Sequence, residues 1–194
     1  SEASAKSDVV QKLVPIALWY FRWAAAFTFL TGLYLLYWLS ITVNIGIVLG
    51  ALMGTLMAAN VWFVIWPNQK KVIAGAPDAA DAGAKAGLAS RTNTLFSLPM
   101  LYLMVFSAHG GSLPMIAATD MTGLWVGIAI IVLIEANALF GKMNPLITAV
   151  KAVIHYGLLL TLVFGILVHY LYFFYKHKGS LNHLFFDVNF CNRF

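Results

Sequence analysis

Charge is what this sequence has least of. Of 194 residues only 10% are Asp, Glu, Lys or Arg, while 61% are hydrophobic. A soluble domain carries about 25% charged residues and roughly 45–50% apolar ones. So few charges could not cover the apolar surface of a water-soluble fold of this size, which excludes soluble enzymes and disordered chains. Cysteine is nearly absent as well. The single Cys191 excludes an internal disulfide, a cysteine-based zinc site and a CxxCH haem attachment. No HExxH spacing, phosphate-cradling GxxxxGK[ST] loop or fixed-period repeat occurs, so no metal site is expected. The net charge of +5 comes without a basic stripe interleaved with aromatics, and no nucleic-acid partner is expected. The opening SEASAKSDVVQK has no basic-then-apolar leader and reads as a mature cytosolic start.

What the sequence does have is long apolar runs. A helix crossing a bilayer needs roughly 20 mostly apolar residues. Five stretches are expected to do so: 15–39, 44–66 (stopped by Pro67), 95–108, 123–140 and 149–175. The third is short unless Arg91–Thr94 continue it. The link SITVN is brief, so the first two helices should be antiparallel neighbours. The expected fold is therefore all-α, a single polytopic bundle with a cytoplasmic loop over 67–94 and an outer tail over 176–194. Within that loop, Asp78 is a plausible cap for a short helix.

Basic residues orient the chain. With five spans, Lys6, Lys12, Lys70, Lys71, Lys85, Arg91, Lys142 and Lys151 share one face, against Lys176, Lys178 and Arg193 on the other. Cytoplasmic loops carry the excess, which puts the N-terminus inside and the C-terminus outside. Aromatics near the span ends, Trp19, Trp23, Trp38, Trp62, Trp66 and Trp125 among them, suit an interfacial belt.

Polar groups at membrane depth are costly and raise a functional question. Arg22, Asn60, Glu135, Asn137 and His155 fall at similar depths and form an expected intramembrane cluster, with an Arg22–Glu135 ion pair as its simplest arrangement. The sharper reading makes it a site for a ligand or a proton. Glu135 is the only acid inside a span, so paired-carboxylate chemistry is excluded, and no motif supports a nucleophile. His155 and His169 are fourteen residues apart, about 40° around the axis and roughly 21 Å along it. His109 lies at the depth of His169, and a b-type haem ligated by that pair is an open alternative to two interfacial histidines. Gly50 and Gly54 form a GxxxG that lets two helices approach closely, within the chain or against another subunit.

Three segments, FRWAAAFTFLTG (Phe21–Gly32), NVWFVIWPNQKKVI (Asn60–Ile73) and RTNTLFSLPMLYLMVFSAH (Arg91–His109), resemble the N-terminal membrane domain of the cytochrome-c-linked urate oxidases. The resemblance implies a membrane domain that precedes an extracytoplasmic c-type cytochrome and serves urate oxidation. It also implies Arg22, Asn60, Trp62, Gln69, Lys70, Arg91, Asn93 and His109 as candidate site residues. The CxxCH of the cytochrome is missing, Ala24 stands where an acidic residue is expected, and the chain is expected to start after the family's first helix.

The leading expectation is a non-catalytic accessory subunit of a bioenergetic complex in a bacterial inner membrane, with bound lipids and other membrane subunits as partners. The alternative is an oxidoreductase domain that passes electrons to a separate cytochrome. A transporter ranks last, since five spans without a repeat or a broken helix pair argue against it.

Overall fold

The structure, a computed structural model, describes residues 12–38, 43–109, 121–143 and 145–169. These residues form five long helices: α1 (Val14–Trp38), α2 (Ile45–Ile73), α3 (Ala79–His109), α4 (Thr122–Phe140) and α5 (Val150–His169). A single turn, Pro145–Thr148, precedes α5. No strand occurs among the described residues. The expected tail over 176–194 lies outside them.

Two expected boundaries are corrected. The helix of residues 44–66 does not stop at Pro67 but continues to Ile73. Proline removes a backbone donor and crowds the carbonyl four residues back. Here it follows a π-helical stretch, Asn60–Ile65, in which the Trp66 N–H reaches back to the Val61 carbonyl. That wider turn gives the ring its room. The expected loop over 67–94 is likewise not a loop. It holds the end of α2, a tight reversal, and the first half of α3, because Ala-rich sequence from Ala79 onward continues the helix begun after Asp78.

The reversal has a defined cause. Gly75 takes φ +62°, the left-handed region that glycine enters without a Cβ penalty. Its N–H bonds to Val72 and that of Ala76 to Lys71, which satisfies the last carbonyls of α2 in a Schellman arrangement. Across the turn, Lys71 Nζ donates to Asp78 Oδ2 at 2.7 Å. This bond holds the Asp78 carboxyl below its ordinary pKa. A depressed carboxylate adds stability above its unfolded pKa and loses it as pH falls through the folded value. Both partners are half exposed, so solvent screens the pair. Asp78→Asn is therefore expected to lower the melting temperature in detergent slightly and evenly from pH 7 to 5, and the gap from wild type should close in more acidic samples as the Asp78 carboxylate takes up its proton.

α2 and α3 pack along their length as an antiparallel hairpin. Gly46 lies against Ser107, Gly50 against Met104, Gly54 against Met100, and Val72 against Gly83. Leu49 of α2 meets Gly127 of α4, and Gly157 and Gly165 of α5 meet Leu98 and Tyr102 of α3. Hence α2 and α4 point one way, and α3 and α5 the other. α1 lies antiparallel to α2 on one side, with Trp23 on Trp62, and has no buried residue. The core is Leu49, Met53, Phe96, Leu103, Ile131 and Phe164.

Four helices, α1, α2, α4 and α5, are long and apolar enough to cross a membrane. The expected third span, 95–108, is not one of them. It is embedded in α3, whose Arg91–Thr94, Ser97 and Ser107 dilute its hydropathy. α3 tolerates them because α2, α4 and α5 cover it: Ala86, Ala89, Phe96 and Leu103 are fully buried. The outside is the reverse of a soluble fold, with Phe63 and Tyr37 at 78% exposure and Phe140 at 88%. An apolar surface of that extent belongs in lipid. The chain is an all-helical membrane protein.

Candidate functional site

Within the apolar bundle the polar residues gather at one level. Asn60, 1% exposed, opens the π stretch of α2 and turns its amide between α3 and α4. Its Nδ2 donates to Asn93 Oδ1 at 3.0 Å and to Glu135 Oε2 at 3.2 Å. Asn93 in turn donates through Nδ2 to the Met57 carbonyl at 3.0 Å, just before the π turn. One amide thus ties three helices together. π turns recur where a helix must redirect side chains or free a backbone acceptor, and this one does so beside a buried carboxyl.

The expected five-residue cluster is only partly realised. Asn60 and Glu135 meet, whereas the Arg22–Glu135 ion pair does not form. Arg22 sits nearer the end of the bundle, with its guanidinium carbon 4.0 Å from the Trp66 ring centre, 5.1 Å from Trp62 and 5.6 Å from Trp23. Its Nε is buried and has no hydrogen-bond partner. Asn137 points outward and is exposed, because two residues beyond Glu135 advance the helix by about 200°. His155 also faces out, its Nδ1 held 2.7 Å from the Lys151 carbonyl of its own helix. It lies at the right depth but on the wrong face.

The remaining candidates divide in the same way. Asn93, expected only from the family resemblance, is half-buried and completes the trio with Asn60 and Glu135. Trp62 supports Arg22, and Lys70 Nζ lies 4.0 Å from the Trp66 ring centre. Gln69 is half-buried beside it on α2. Arg91 is half-buried on α3, with Nη1 unbonded. Gly50 and Gly54 face α3 within the chain, which settles the direction of their GxxxG, and Gly46 extends the stripe by a turn. His109 and His169 stand exposed at the same end of two parallel helices, and the His169 ring packs on Phe106 at 4.8 Å. Phe106 stacks in turn on Tyr102. No group of three or more His, Cys, Asp or Glu side chains that could hold a metal occurs among the described residues.

The Asn44 cap was not foreseen. Its Oδ1 accepts the Ile47 N–H at 3.0 Å, and the residue is 4% exposed at the start of α2. Asparagine directly before an apolar run is the signal that could have found it.

The comparisons bear on the same helices. A family model described as urate oxidase N-terminal matches residues 42–168, from the start of α2 to the end of α5. It takes in the NVWFVIWPNQKKVI and RTNTLFSLPMLYLMVFSAH segments, whereas Phe21–Gly32 lies before it. No curated protein and no solved structure matches the chain. Since the match covers well over half of the sequence, this chain belongs to the urate oxidase N-terminal family.

Proposed function

We propose that this chain is an accessory, non-catalytic membrane subunit of a larger bioenergetic complex in a bacterial inner membrane. The observation that carries the reading is that Asn60, Asn93 and Glu135 bond to one another and to the backbone of α2. Both N–H groups of the Asn60 amide are committed, and Asn93 gives one of its two N–H groups to the Met57 carbonyl. Such a cluster fastens helices, and it leaves the apolar outer faces free to meet lipid or neighbouring subunits. The surplus of basic residues supports an orientation with the N-terminus in the cytoplasm.

The family match favours a second reading, in which the bundle is the membrane domain of a urate-oxidase-like oxidoreductase that hands electrons to a separate cytochrome. In that reading His109 and His169 would hold a b-type haem. Haem would supply one-electron transfer, and the part of this chain would be to present two imidazoles at one end of α3 and α5.

Purification from native membranes separates the two. A colourless protein recovered in fixed ratio with larger subunits is the expected result. A Soret band that disappears in His109→Ala or His169→Ala would overturn the accessory reading in favour of the second.

A further inference from the structure

Two cations share one indole at the α1–α2 end of the bundle. Arg22 and Lys70 each lie 4.0 Å from the Trp66 ring centre, so their charges are at most roughly 8 Å apart. Among the described residues no carboxylate pairs with either, because Asp78 is taken by Lys71. Stacking on indole attracts a cation without neutralising it. Two like charges this close, one on the half-buried Arg22 and one on the exposed Lys70, therefore favour an anion between or beside them, and the buried, unbonded Nε of Arg22 is a donor left over for it.

Beside this pair runs a groove of about 630 Å³ between α1 and the α2–α3 hairpin. Phe21, Ala25 and Ile65 line it near the cations, and Phe29, Leu36 and Ala51 farther along. From Ile65 to Ala51 is roughly 21 Å along α2, which exceeds the roughly 15 Å hydrocarbon depth of one leaflet. The walls are mostly apolar. Trp19, Trp23, Trp62 and Trp66 cluster at the end where the cations sit, as aromatics do at headgroup level.

From this juxtaposition we infer that the chain holds an anionic phospholipid, with its phosphate on Arg22 and Lys70 and one acyl chain in the groove between α1 and the hairpin. A phosphate oxygen accepts short, charge-assisted bonds from guanidinium and ammonium alike. The acyl chain would supply α1 with the packing that its unburied residues do not obtain from protein. A free phosphate shares the headgroup chemistry, but only a lipid uses the groove.

The test is native mass spectrometry of the full chain in detergent, offered phosphatidylglycerol, phosphatidylcholine or inorganic phosphate. The wild type is expected to retain phosphatidylglycerol preferentially, and Arg22→Gln and Lys70→Gln each to lower that preference about fivefold. Lys70 is exposed, so its variant carries the test even where Arg22→Gln does not fold. Gly32 lines the groove and has open space where its Cβ would stand. Gly32→Leu should therefore fill the groove and release both lipids with the charges intact. Equal retention of the two lipids, an unchanged preference in Lys70→Gln, or phosphate binding that Gly32→Leu does not accompany with lipid loss would overturn the assignment. Recovery of a quinone from the groove in place of phospholipid would overturn it too.

Discussion

Asn60→Ala is expected to lower stability by about 2–4 kcal/mol, more than any other single polar substitution among the described residues. The size follows from what is left behind, not from the bonds alone. Hydrogen bonds between helices in membranes average about 0.6 kcal/mol and reach at most about 1.7 kcal/mol. Losing the two that Asn60 donates would cost little on that scale. The substitution also strands the Glu135 carboxyl, 7% exposed, with no donor in an apolar surround, and removes the partner of Asn93 Oδ1. Unpaired buried polar groups cost more than the bond they lose. A double-mutant cycle separates the contributions. Glu135→Leu in the Asn60→Ala background removes the stranded carboxyl and should restore a large part of the loss, whereas additive losses in reversible unfolding from mixed micelles would refute the coupling. Asn137→Ala serves as the control: its side chain faces outward, and its removal should change little.

The same residues show how much of the site could be read in advance. The apolar runs were legible, because a membrane span must be uniformly apolar over its length. That uniformity is also what hides the inner face. A helix in a soluble protein displays its core side by alternation with charge, while one surrounded by lipid is apolar all round. Depth could thus be counted along α4 and α5, but rotation could not. Glu135 and Asn137 were both placed in the cluster, and 200° of helix separates them. His155 shares the depth and faces outward. Arg22 differs in a second way, since three indoles within reach replaced the expected carboxylate. The boundaries that failed, at Pro67 and over 67–94, have two causes. Proline ends a helix that stands alone, but here a π turn admits its ring, and the Ala-rich stretch from Ala79 carries a helix that reads as loop only because it lacks an apolar face. Asn93 could be singled out only by family resemblance, for nothing in RTNT tells which of its polar side chains faces α2.

Gly50→Leu is expected to be the most disruptive apolar substitution, and the glycine stripe of α2 explains why. Lipid is as apolar as leucine, so helices in a membrane adhere through close packing and not through exclusion of water. Gly46, Gly50 and Gly54 provide that closeness along α3. A Cβ at Gly50 would already lie 3.2 Å from Met104 Cγ and 3.6 Å from the Met100 carbonyl, and leucine adds three more carbons in the same direction. The backbone on the far side cannot yield, so α2 and α3 must part. Overpacking typically costs about 1–3 kcal/mol. The upper end applies here, because separation at Gly50 also stretches the Asn60–Asn93 bond farther along the same interface. Gly54→Ala is the graded comparison. Its Cβ would meet only the Met100 sulfur, at 3.4 Å, the end of a pliable side chain. It should be nearly neutral. Alanine at Gly46 falls on Ser107 Oγ and near the Asn44 cap, and should lie between the two. Unfolding free energies of the three variants would decide the matter, and a Gly54→Ala loss equal to that of Gly50→Leu would mean that the stripe packs against something other than α3.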